Sequence, residues 1–158
     1  IIDGQLAFAP SCEELSRMVH LSMSKLTRGF SSFYGIPIHQ YIIEQRLAQA
    51  AQLLLEGDWN VSEIAAIVGY GKPSNFAAAF KKKYGVNITS YINEVRLAQA
   101  KAYLAAGYNI AEAAELVGYH DCSYFSRVFK KYCGISPKQF ILEGDKASTV
   151  MDRGEVRY

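Results

Sequence analysis

Apolar residues recur along this chain at helical spacing, in short blocks that come in pairs. In Asn60–Gly85, Ile64, Ala65 and Val68 form one stripe and Phe76 and Phe80 another, one turn apart. The residues between and around the stripes punctuate them. Asn60 and Glu63 make a capping box, in which each side chain satisfies the other's backbone N–H. Gly69 suits the left-handed residue that closes a helix, and Pro73 suits the first turn of the next one. Gly85 closes the pair. Helix, tight turn, helix is the predicted unit.

The unit recurs. Asn109–Gly134 repeats it 49 positions later, matching Asn60 to Asn109, Gly69 to Gly118, Phe76 to Phe125 and Gly85 to Gly134. Ser11–Gly35 is a shorter relative, with Ser11 and Glu14 as capping box, Leu26 and Phe30 in the inward positions, and a turn one residue shorter. Between the units run two long amphipathic helices. One spans about Pro37 to Leu55, with Leu47, Ala50 and Leu54 on one face, and ends at Gly57. The other spans about Ser90 to Ala105, with Leu97, Ala100 and Leu104, and ends at Gly107. Arg46–Ala50 recurs within it as Arg96–Ala100. Repetition at this period sets the architecture. The expected fold is all-α, with tandem homeodomain-like helix-turn-helix units joined by long linker helices.

Five segments follow. Residues 1–10 read as an N-terminal arm, a short strand or a loose segment. Residues 11–56 are the first unit with its linker helix, 57–106 the second unit with its own, and 107–142 the third unit, ending in a short helix from Pro137 through Ile141. Residues 143–158 read as a polar, mobile tail. With 158 residues, half of them hydrophobic and a fifth charged, the chain suffices for one or two soluble domains. No apolar run approaches the ~20 residues of a membrane helix, and no signal peptide is visible. Cys12, Cys122 and Cys133 lack CxxC spacing and fit reduced cytosolic thiols, so the expected location is the cytoplasm.

A net charge of +2 names no partner, but its distribution does. Lys81, Lys82 and Lys83, and again Lys130 and Lys131, end the second helices of two units, while Lys25 and Arg28 lie on that of the first. Glu63, Glu112 and Glu115 lie on the preceding helices. A charge run is usually a solvated face; basic residues recurring at one position of a repeated helix point to phosphate. A linker of about 18 residues spans ~27 Å, against ~34 Å between major-groove openings on one face of a duplex. That length permits neighbouring units to occupy successive grooves.

The chain resembles the DNA-binding region of the AraC/XylS family of bacterial transcription regulators. The resemblance rests on Leu26-Thr27-Arg28 with Phe30 and Tyr34-Gly35, on Arg46–Ala50, Val61–Ala65, Val68–Tyr70, Ser74–Phe76, and Phe80 with Lys81 to Gly85. It continues through Val117–Tyr119, Ser123–Arg127, Phe129–Lys131 and Gly134–Pro137. It covers about Ser11 to Phe140. The family has two helix-turn-helix units on one linker; here a third unit follows a second linker. The resemblance implies sequence-specific binding of double-stranded DNA by a bacterial regulator, with recognition helices in successive major grooves. It also implies contact with RNA polymerase, and an effector or dimerisation domain outside these residues.

The exposed side of each second helix carries the candidate readers. They are Ser24, Lys25, Thr27 and Arg28 in the first unit, Ser74 and Asn75 in the second, and Ser123, Tyr124, Ser126 and Arg127 in the third. An arginine can span guanine O6 and N7, and serine or threonine can meet base or phosphate. Arg28 and Arg127 stand at the same position of their helices and are read there as base readers over the plainer surface ion pair; the middle unit has Ala78 there, between Ala77 and Ala79. Alanine raises helix propensity and reads little. The middle helix is therefore expected to be the weakest reader, with Lys72, Lys81, Lys82 and Lys83 on phosphate, as Lys130 and Lys131 are in the third unit. Engaging all three units would require a bent duplex. Arg46 and Arg96 suit phosphate or an ion pair with Glu44 or Glu94 equally.

Other chemistry has little support. His20, His39 and His120 are scattered away from any metal-ligand spacing, and the capping serines lack a partnering histidine. No cofactor, metal or enzymatic activity is expected. The alternative reading is a protein-interaction module built of the same repeats, with DNA binding weak or lost, which the alanine run favours and the arginines oppose.

Overall fold

A computed structural model describes residues 1–152, with side chains to residue 144. The described residues are helical throughout. Their elements are α1 (Cys12–Met18), α2 (Met23–Tyr34), α3 (Ile38–Glu56), α4 (Val61–Ile67), α5 (Pro73–Tyr84), α6 (Ile88–Ala105), α7 (Ile110–Leu116), α8 (Cys122–Cys133) and α9 (Pro137–Asp152). They fall into two compact units. Ile1–Ile88 holds two helix-turn-helix pairs around α3, and the unit from Thr89 onward holds the third pair with α6 and α9.

Local chemistry starts and stops each helix. All three capping boxes form, at Ser11/Glu14, Asn60/Glu63 and Asn109/Glu112. Gly35, Gly57, Gly85 and Gly134 close α2, α3, α5 and α8 in the left-handed conformation. Within the helix-turn-helix turns that conformation falls on Gly69 (φ 89°), Gly118 (φ 86°) and, in the first pair, His20 (φ 53°). His20 is the one non-glycine residue with positive φ in the described backbone.

In the compact unit Ile1–Ile88, Leu47, Ala50 and Leu54 of α3 are buried with Ile64, Ala65 and Val68 of α4 and Phe76 and Phe80 of α5. Leu97, Ala100 and Leu104 play the same part in the compact unit from Thr89 onward, against Ala113, Ala114, Val117, Tyr119, Phe125, Val128 and Phe129. The first pair is thinner. Leu26 and Phe30, expected to point inward, are only half-buried, and Phe30 stacks on Tyr34 at 4.4 Å and meets Tyr41 edge-on at 5.3 Å. α1 has a single buried residue, Leu15, so it offers little surface to cover them.

Three expectations need correction. The arm is neither strand nor loose: two single 3-10 turns, Ile2–Gly4 and Leu6–Phe8, are tied to α3 at both ends. Tyr41 Oη donates to Asp3 Oδ1 at 3.0 Å, and Arg46 Nε donates to the Leu6 carbonyl at 2.8 Å. Arg46 is thus held by backbone carbonyls rather than by the Glu44 carboxylate. Helix α9 runs past Ile141 to Asp152, because Gly144 alone, ~1 kcal/mol worse than alanine, does not stop it. Residues 153–158 of the expected tail lie outside the described residues.

Candidate nucleic-acid interface

The second helices of the later two pairs, α5 and α8, are fixed by their buried apolar sides. In α5, Phe76 and Phe80 are buried, leaving Ser74, Asn75, Ala77 and Ala78 exposed. In α8, Phe125, Val128 and Phe129 are buried, leaving Ser123, Tyr124 and Arg127 exposed and Ser126 half-buried. In α2, Ser24, Lys25, Thr27 and Arg28 are exposed. All the expected readers but the half-buried Ser126 are therefore exposed on the second helix of their pair. Arg28, Ala78 and Arg127 occupy one register position, each two residues before the second inward-facing aromatic.

Side-chain contacts separate members of these sets. The Thr27 hydroxyl donates back to its own helix, to the carbonyls of Met23 at 2.9 Å and Ser24 at 3.4 Å, so only its lone pairs and methyl face outward. Arg127 lies over the ring of Tyr124, with Cζ 5.9 Å from the centroid. That distance is within the range of a cation–π contact. The lysines differ too. Lys72, Lys81, Lys82, Lys83, Lys130 and Lys131 are all exposed, and Lys83 Nζ also donates to the Glu44 carbonyl of α3 at 3.0 Å and lies 5.5 Å from the Tyr84 ring. Lys131 lies 5.9 Å from the Tyr132 ring.

The three helix starts are unlike. Ser22 caps α2 weakly, accepting from the Lys25 N–H at 3.4 Å; α5 starts at Lys72–Pro73 without a side-chain cap. α8 starts on Asp121, whose carboxylate accepts from the N–H groups of Ser123 at 2.7 Å and Tyr124 at 3.0 Å. The Tyr124 and Ser123 N–H bonds hold the Asp121 carboxyl below its usual range. Sequence reasoning passed over Asp121, although an aspartate one residue before a helical stripe is a recognised cap. It also passed over the Tyr124–Arg127 pair, which the i, i+3 spacing permits.

The model for a helix-turn-helix domain matches this chain twice, over residues 15–91 and 78–142. Together the two matches span most of the chain. A probable transcriptional regulator, LumQ of Photobacterium leiognathi, is 37% identical over 81 residues, 51% of this chain and 33% of that protein.

The chain belongs to the AraC-type helix-turn-helix family.

The regulatory protein PocR of Salmonella typhimurium is 28% identical to this AraC-type chain over 81 residues, 27% of its own length. The matched stretch thus spans a third or less of these curated relatives. Among solved structures, the C-terminal domain of AraT, a response regulator of Geobacillus stearothermophilus, aligns with TM-score 0.56 and 26% identity, over 62% of this chain and 84% of that one. A DNA-binding transcriptional dual regulator of Escherichia coli K-12 aligns with TM-score 0.54 and 22% identity, over 66% of this chain and 93% of that one, a likeness of fold. The AraC-type family accounts for the paired units on one linker. The first match covers such a pair, and the second brings in the extra unit.

Among the described residues no helix is long and apolar enough to cross a membrane. No group of three or more His, Cys, Asp or Glu side chains among them could hold a metal ion.

Proposed function

We propose that this AraC-type chain is a regulator, not an enzyme, that binds double-stranded DNA sequence-specifically in the bacterial cytoplasm. Its helices α2, α5 and α8 enter successive major grooves of one duplex. The outer two read bases, through Ser24, Lys25, Thr27 and Arg28 and through Ser123, Tyr124, Ser126 and Arg127. The middle one positions the protein, with Lys72, Lys81 and Lys82 on phosphate and Ser74 and Asn75 as minor readers. Lys130 and Lys131 add phosphate contacts in the third unit. RNA polymerase, and an effector or dimerisation domain outside these residues, are the proposed protein partners.

The observation that carries this reading is the register of arginine. Arg28 and Arg127 lie exposed at one position of a repeated helix whose other side is buried or packed, and Ala78 stands at that position in the middle helix. Linker α3, with 19 residues, is ~28 Å long. That is a fair match to the ~34 Å groove repeat once the offset of the recognition helices is added.

Salt titration of duplex binding tests the phosphate part. The logarithm of the affinity should fall steeply with the logarithm of salt, by ~0.9 for each phosphate neutralised. Lys81→Ala with Lys82→Ala should flatten that slope by about 2. A protein-interaction module without DNA binding would give no shift of the duplex at any salt concentration.

A further inference from the structure

We infer that the third unit reads a methylated pyrimidine, thymine or 5-methylcytosine, beside the guanine held by Arg127, and that Tyr124 is the specificity-determining residue for that methyl group. The inference rests on the base-reading role proposed above for α8, and takes it to a particular chemical step.

The start of α8 is already satisfied. Asp121 accepts from the N–H groups of Ser123 and Tyr124, so the donors that could cradle a phosphate are occupied by a carboxylate of the same sign. Among the side chains that α8 presents outward are the exposed pair Tyr124 and Arg127. Tyr124 keeps 48% of its surface exposed although Tyr119 touches its ring, 6.0 Å between centroids. Arg127 lies against the ring of Tyr124, one helical turn away, with Cζ 5.9 Å from the centroid.

That contact takes no hydrogen bond from the guanidinium, so its donor fork stays available for guanine O6 and N7. Tyr124 precedes Arg127 by one helical turn, so beside a guanine held by Arg127 its exposed ring would meet the neighbouring base pair. In the major groove the only apolar group a base can show is the C5 methyl of a pyrimidine. An exposed aromatic ring beside an arginine fork therefore suits a methyl next to a guanine. The other units lack the pair. Lys25 stands where Tyr124 does, beside Arg28, and Asn75 stands there beside Ala78.

The test uses the full chain and duplexes selected from a random pool. The guanine read by α8 is the one whose preference disappears in Arg127→Ala. At that site thymine is replaced by uracil, which removes only the methyl, and guanine by 7-deazaguanine, which removes only N7. The wild-type protein should bind the uracil duplex about fourfold more weakly and the 7-deazaguanine duplex on the order of tenfold more weakly. Tyr124→Ala should abolish the uracil penalty and shrink the 7-deazaguanine penalty, while Tyr124→Phe keeps both. A merely structural tyrosine would weaken binding to all duplexes alike. The inference is overturned if no methylated pyrimidine adjoins the Arg127-dependent guanine, or if Tyr124→Ala retains the full uracil penalty. A selection that yields no Arg127-dependent guanine overturns the base-reading role itself.

Discussion

Tyr70 and Tyr119 stand at the same place in two repeats and differ in one hydrogen bond. Tyr119 Oη donates to Asn93 Oδ1 at 2.8 Å, whereas Tyr70 Oη is buried without a partner among the described residues. The linker position matching Asn93 is Ile43, which cannot accept. Burial pushes both hydroxyls above the usual tyrosine range, and Arg46 and Arg96 beside them partly oppose it. Tyr70→Phe should therefore be neutral or stabilising by up to ~1 kcal/mol, and Tyr119→Phe destabilising by ~1 kcal/mol. Equal costs in urea denaturation would contradict the difference. The left-handed turn residue gives a second contrast. His20→Gly should stabilise by ~0.5–1 kcal/mol, since φ 53° strains a side chain that glycine lacks. Gly69→Ala should be strongly destabilising, because its Cβ would meet the Ala7 carbonyl oxygen at 2.6 Å and the Arg46 guanidinium at 2.9 Å. Asp121 supplies a pH signature. Its folded pKa lies below the unfolded one, so the cap stabilises α8 above the unfolded value of ~3.9 and is lost as pH falls through the folded value. Asp121→Asn, still a good cap, should make helicity less sensitive to pH below about 4; an unchanged acid limb in circular dichroism would count against this.

The helices and their turns were legible because the signals are local. Asn60 with Glu63, Gly69, and Phe76 with Phe80 each announce a cap, a turn or a buried face within a few residues. The same logic found α3 and α6 to within two residues at each end. The N-terminal arm was not legible in this way, because what holds it is backbone. Arg46 takes the carbonyls of Leu6 and Ala7, and any residue type would supply those. Nor could spacing tell that Arg46 would be committed there rather than to Glu44. Arg46→Ala should release the arm from α3. Amide exchange in residues 2–8 should then rise well above that of α4 and α5, and uniform exchange across the unit would show the strap to be unimportant.

For the molecule as a whole, repetition was the most legible property and also the source of its asymmetry. Three units share caps, turns and an inward aromatic or aliphatic pair, so the departures stand out: Ala78 between two arginines, Asp121 at one helix start, and Lys83 turned to the Glu44 carbonyl. The candidate site was legible as a set of helix faces, since burial of Phe76, Phe80, Phe125 and Phe129 decides what remains outside. Contacts within a face, such as Tyr124 with Arg127, follow from rotamers that spacing alone permits without choosing. The proposal that three units meet one duplex is tested most directly by base-resolved footprinting on selected duplexes, comparing the wild-type chain with Arg28→Ala, Arg127→Ala and the double variant. The expected result is strong base dependence at two outer segments with weak dependence between them, each outer segment losing its preference with its own arginine. Unaltered sequence preference in the double variant, or a footprint confined to a single groove, would contradict it.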